Sequence, residues 1–121
     1  MRFSQSLKEN NLFRRLYTKG KSTVNGHVVI YCRKNNSMEN RIGYTVSKKL
    51  GHAVVRNRVR RRLREIYRLH EAEFRPGYDI VVVARSNAVT ASYARLERSF
   101  MTAAGKLGLL EKRENPETTT D

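Results

Sequence analysis

The chain of 121 residues has a single cysteine, Cys32. One thiol cannot form an intrachain disulfide, and no thiolate metal site can be assembled around it. Cys32 ends the apolar run Val28-Val29-Ile30-Tyr31-Cys32, where a small buried thiol is the expected state. No apolar run is long enough to span a membrane. The start, MRFSQSLKENN, lacks the apolar core of a secretory signal, and no dispensable leader precedes the first expected helix. The expected compartment is the cytoplasm.

Acids are scarce too: 11 Asp and Glu stand against 25 Lys and Arg, a formal net charge of +14. No pair of them is placed for two-metal hydrolysis. His27, His52 and His70 are dispersed, without the HxxxH or HExxH spacing of a metal site. GxSxG, a phosphate-cradling glycine loop and a cysteine–histidine signature are all missing. A protein nuclease acting alone would need something from this set. The chain is therefore expected to have no catalytic residue and no metal-ligating residue of its own.

What is abundant is arginine, and it is concentrated. The segment from Gly43 to Arg68 reads as a strand, a short basic turn and a long helix. From Lys48 to Arg68 there are nine basic residues against one acid, Glu65, a net of +8. Neighbouring cations repel, so such density is costly unless a polyanion neutralises it, and nucleic acid is the first candidate. At 100° per residue, Val55, Val59, Leu63, Ile66 and His70 share a narrow stripe, with Tyr67 on its shoulder. Asn57, Arg61, Arg64 and Arg68 take the opposite face, with Arg56, Arg58, Arg60 and Arg62 on the flanks. Solvated helices normally mix signs at i,i+4; here only Glu65 interrupts the cations.

The order GYTVSKKLG from Gly43, then Ala53-Val54, then Arg56-Asn57-Arg58, resembles the signature of the bacterial ribonuclease P protein subunit. Phe13-Arg14-Arg15-Leu16-Tyr17 with Lys19-Gly20 looks like that family's first helix, and Tyr78 to Arg85 like its last strand. The resemblance covers roughly residues 7 to 107. It implies a protein subunit without an active site, in an endoribonuclease whose RNA subunit holds the catalytic centre and its Mg2+. The holoenzyme removes the 5′ leader of precursor tRNA. The implied partners are the catalytic RNA and that leader. Lys48, Lys49, Arg56, Asn57, Arg58, Arg60, Arg61, Arg62, Arg64 and Arg68 would meet the catalytic RNA. Phe13, Tyr17, Tyr31 and Arg85 would hold the leader in a cleft beside the sheet. Read from the residues alone, Phe13 and Tyr17 suit a core stripe as well, and Tyr31 suits a plain half-buried tyrosine.

In chain order, residues 1 to 6 show no pattern. Leu12, Phe13, Leu16 and Tyr17 have helical spacing, with Asn10 or Asn11 as cap and Gly20 as stop. Ser22 to Asn25 and His27 to Arg33 read as strands joined at Asn25-Gly26; Val28, Ile30 and Cys32 share one face of the second. Arg41 to Val46 is a third strand. Ile80 to Ala84 is apolar without alternation, the mark of an interior strand. Thr90 or Ser92 starts a last helix with Tyr93, Leu96, Phe100, Ala103 or Ala104, and Leu107 on one side. The expected fold is an α+β two-layer sandwich of order α-β-β-β-α-β-α. The family resemblance adds a left-handed β-α-β crossover, as in the second domain of ribosomal protein S5. One RNA-binding domain is expected over 1–110. The polar tail 111–121, with two cations, four acids and a net of −2, is expected to be disordered, which leaves +16 on the domain.

Overall fold

The computed structural model describes the backbone of residues 4–6 and the whole of residues 16–111. Five strands, β1 (Ser4–Ser6), β2 (Lys21–Asn25), β3 (Val28–Lys34), β4 (Asn40–Thr45) and β5 (Tyr78–Ala84), form one sheet of order β1-β4-β5-β3-β2. The helices are α1, described over residues 16–19, α2 (Ala53–His70) and α3 (Tyr93–Lys106). From residue 16 onward the order is the α-β-β-β-α-β-α expected. Ser4–Ser6 adds a short edge strand parallel to β4, in a segment where three polar residues give no alternation to read.

Register explains why the strands separate two environments. β2 and β3 form a hairpin, and β3 runs antiparallel to β5. β4 lies parallel to β5, so the chain crosses over the sheet through α2. Val28, Ile30, Cys32, Ile80 and Val82 all point to one face and are almost completely buried against α2 and α3. Burial pushes the Cys32 thiol up to about 11, so it stays protonated and inert. Phe100 and Phe74 anchor this layer, their ring centroids 6.3 Å apart, and Tyr67 stacks edge-on to Phe74 at 4.9 Å. Each such side chain contributes roughly 1.5–3 kcal/mol by leaving water.

The opposite face carries Tyr31, Val81 and Val83 and is covered, among the described residues, by Leu16 of α1. Val81 is fully buried there and Leu16 is 1% exposed. Leu16 is thus a core residue, as its spacing suggested. β5 is buried from both sides, which accounts for its unbroken apolar run.

Two details fix the ends of elements. Ser92, rather than Thr90, caps α3, its hydroxyl accepting from Arg95 N at 3.2 Å. Gly26 sits at φ +52° in the β2–β3 turn, and a Cβ there would collide with the Ser99 hydroxyl. Both conformation and space therefore require glycine at that turn.

Candidate nucleic-acid interface

α2 divides as its periodicity demands. Val59, Leu63, Ile66 and Tyr67 are buried, and Val55 and His70 lie half-buried at the two ends of the stripe. Tyr67 goes deeper than its shoulder position implied, because Asn40 Nδ2 reaches its hydroxyl at 3.4 Å and Phe74 packs on its ring.

The cations on the outer surface are not equivalent. Arg56 Nε donates to the Gly51 carbonyl at 3.1 Å, and Arg62 Nη1 donates to the Ala91 carbonyl at 3.1 Å. Arg60 Nη1 donates to Asn57 Oδ1 at 3.0 Å. Arg68 clasps Glu65 with two hydrogen bonds, of 3.1 and 2.6 Å, which hold the exposed Glu65 carboxyl below its usual range. The side chains of Arg58, Arg61 and Arg64 are exposed and have no hydrogen bond or ion pair to any described residue. Burial raises the pKa of the Tyr44 phenol, with Arg64 acting in the opposite direction.

The start of α2 reinforces this field. Lys48 and Lys49 are exposed in a 3-10 turn just ahead of it, capped by Ser47, whose hydroxyl accepts from Lys49 N at 3.1 Å. His52 occupies the N-cap of α2 without a side-chain hydrogen bond, and no acid stands in the first turn. The positive end of the helix dipole is thus left uncompensated beside two lysines.

A second group lies on the sheet face that, among the described residues, is the less covered. Tyr17 is 42% exposed and meets Tyr31 edge-to-face, with ring centroids 4.7 Å apart. Arg85 continues the alternation of Val81 and Val83 onto this face, about 13 Å along the strand from the residue opposite Tyr31. It is exposed and tethered, Nη1 donating to the Gly26 carbonyl at 3.1 Å. The sequence-based set for this surface is thus partly assembled: Tyr17 and Tyr31 touch, and Arg85 stands apart at the far end. Phe13 lies outside the described residues.

Sequence reasoning missed the polar bolt between β4 and β5. Arg41 holds Asp79 with two hydrogen bonds of 2.7 Å, and Asn35 Nδ2 adds a third at 3.0 Å. Only the register, which sets Arg41 opposite Asp79, could have revealed it. Among the described residues, no group of three or more His, Cys, Asp or Glu side chains is arranged to hold a metal ion. No described helix is long and apolar enough to cross a membrane.

The geometry defines a basic α+β sandwich with one arginine-bearing helix and one sheet face that the described residues cover only in part. Comparison with known proteins gives this class its family. The Ribonuclease P family model matches residues 1–108. The ribonuclease P protein component of Alkaliphilus metalliredigens is 42% identical over 110 residues, 91% of this chain and 99% of that one. Among solved structures, the Staphylococcus aureus RNase P protein superposes with a TM-score of 0.81 at 33% identity, covering 88% of this chain and 97% of that one. The Thermotoga maritima RNase P protein gives 0.75 at 28% identity, covering 81% and 93%. The chain belongs to the ribonuclease P protein family, and its place is that of the protein component in tRNA 5′ processing.

Proposed function

We propose that this protein is the non-catalytic subunit of ribonuclease P, gripping the catalytic RNA with α2 and the 5′ leader of precursor tRNA with the sheet face that carries Tyr31. The observation that carries the reading is the cation face of α2, where Glu65 is the one acid and Arg58, Arg61 and Arg64 have no partner among the described residues. Arg58, Arg61 and Arg64 are free to make bidentate contacts with phosphates, and Lys48 and Lys49 extend the charge to the helix start. Arg56, Arg60, Arg62 and Arg68 are held by partners within the protein, so they join the same surface as oriented or exchangeable donors.

The Tyr17–Tyr31 pair suits a single strand, because bases stack on aromatic rings whatever their sequence. Phe13 belongs to this group in the proposal, and Arg85 takes a phosphate farther along. The described residues offer no clustered metal donors. Mg2+ in this reading is held by the RNA subunit, where it supplies charge neutralisation and an activated water. The protein's own share is positional: it raises the local concentration of substrate at that centre. The cytoplasm is the compartment in which it would meet these RNAs.

Reconstitution tests the proposal. Protein added to bacterial ribonuclease P RNA should restore cleavage of precursor tRNA at low Mg2+, and protein alone should cleave nothing. In the same assay Tyr17→Ala should weaken precursor more than mature tRNA, by about 1–3 kcal/mol if one base stacks there. No gain over RNA alone removes the subunit reading. Equal losses on precursor and mature tRNA return Tyr17 to a structural role.

A further inference from the structure

A hollow of about 210 Å³ lies where β2 begins, away from α2 and from the tyrosine pair, lined by Lys19, Lys21, Arg33, Lys34, Cys32, Tyr78 and Leu107 among others. Register explains how two of its lysines converge there. Lys21 pairs with Cys32 and Lys34 with Tyr78, so both lysines stand on the face that carries Cys32, opposite Tyr31. β2 pairing ends at Lys21, which leaves Lys34 at an open edge, while Arg33, paired with Asp79, turns its side chain to the Tyr31 face. Lys19 arrives by a different constraint. A Cβ on Gly20 would lie 2.6 Å from the Cys32 carbonyl oxygen and 2.8 Å from that of Leu16, so only glycine lets the chain press so closely on β3. Gly20 N also donates to the Leu16 carbonyl at 3.0 Å. The segment is thereby pinned with one lysine on each side of the glycine.

None of the three lysines has a hydrogen bond or ion pair to a described residue, and no carboxylate of the described residues lines the hollow. The nearest acid along β5, Asp79, is engaged by Arg41. Cys32 and Leu107, with the half-buried Tyr78 ring, give it an apolar floor. The carbonyl end of α3 lies close by and disfavours an anion, with roughly half an elementary charge. Three full positive charges outweigh it. Unpaired cations around an apolar floor match a nucleotide, whose phosphate and base ask for those two surroundings together.

We propose that this hollow seats a nucleotide of an RNA strand, its phosphates on Lys19, Lys21 and Lys34 and its base on the apolar floor. The inference rests on the RNA-binding reading above and adds a surface to it. The strand belongs either to the precursor's leader, passing around the β2 edge, or to the catalytic RNA. Lys21→Cys carrying a photoreactive group, assembled with ribonuclease P RNA and precursor tRNA, tells these apart. The native Cys32 is buried and does not compete for the label. Attachment to a few leader nucleotides assigns the seat to the leader, and attachment to a few catalytic-RNA nucleotides assigns it there. Lys19→Ala with Lys21→Ala should in addition flatten the salt dependence of binding to that RNA, by about 0.7 for each single-strand phosphate no longer neutralised. Should a label on Arg61→Cys attach to catalytic RNA while the label at position 21 attaches to no RNA, the seat is refuted and the α2 reading stands. Attachment from neither position refutes both.

Discussion

α2 and α3 lie side by side on the same sheet face, yet they are finished differently. α3 is capped by the Ser92 hydroxyl, and its outer surface alternates Arg95, Glu97 and Arg98. Neither helix has an acid in its first turn, but α2 also lacks a side-chain cap and sets its single acid, Glu65, against seven arginines. Local rules favour α3 and penalise α2. α2 is held by what it buries, through Val59, Leu63, Ile66 and Tyr67, while its outer surface stays available to an outside polyanion. The difference teaches that α3 is finished within the fold, whereas α2 keeps cations that no described residue neutralises.

The largest expected effect concerns what the two helices share. Leu63→Ala on α2 and Phe100→Ala on α3 remove fully buried side chains. They should cost about 2–5 and 3–5 kcal/mol respectively in denaturant unfolding. A much smaller loss at Leu63 would mean that α2 is not anchored by its apolar stripe. The caps come next. Ser92→Ala should destabilise the free protein by about 1 kcal/mol, whereas His52→Asp should stabilise it by a similar amount while weakening RNA binding. Stabilisation without any loss of RNA affinity would detach the uncapped helix start from function.

The smallest effect lies at the seam between the helices. His70 of α2 meets Glu73 Oε2 through Nδ1 and Glu97 Oε2 of α3 through Nε2, each at 2.7 Å. A neutral imidazole has one N–H and cannot donate to both carboxylates, so this geometry belongs to the imidazolium. The Glu97 hydrogen bond first, then that of Glu73, raises the His70 pKa above its ordinary value. A raised folded-state pKa stabilises fully below the unfolded value, about 6.5, and the stabilisation fades as pH climbs through the folded value. The Tm difference between wild type and His70→Gln should therefore be larger near pH ~6 than near pH ~9. A difference that does not change with pH would leave the seam to packing alone.

Much of this was legible in the sequence because it is periodic. The stripe of α2, the alternation of Val28, Ile30 and Cys32, and the unbroken β5 run each follow from one repeat and one buried face. The candidate RNA helix was legible for a related reason, since its charges are consecutive. What escaped depends on register between distant segments. Arg41 and Asp79 are 38 positions apart, and Asn40, buried between the Tyr78 amide and the Arg75 carbonyl, reads as a loop residue until β4 is paired. Lys19, Lys21 and Lys34 are likewise scattered until the β2–β3 pairing and the close approach at Gly20 gather them. Which arginines are already engaged was equally hidden, because Arg62 spends a donor on the Ala91 carbonyl 29 positions away.

The central claim is that the unpartnered guanidinium groups of α2 grip RNA phosphates. The salt dependence of catalytic-RNA binding by Arg61→Ala/Arg64→Ala, set against the same protein's unfolding free energy, tests it most directly. The log–log slope should fall by about 0.9 for each phosphate of a helical region that is no longer neutralised, with stability changed by no more than about 0.5 kcal/mol. A slope equal to that of the wild type, in a variant that is still folded, would contradict the claim.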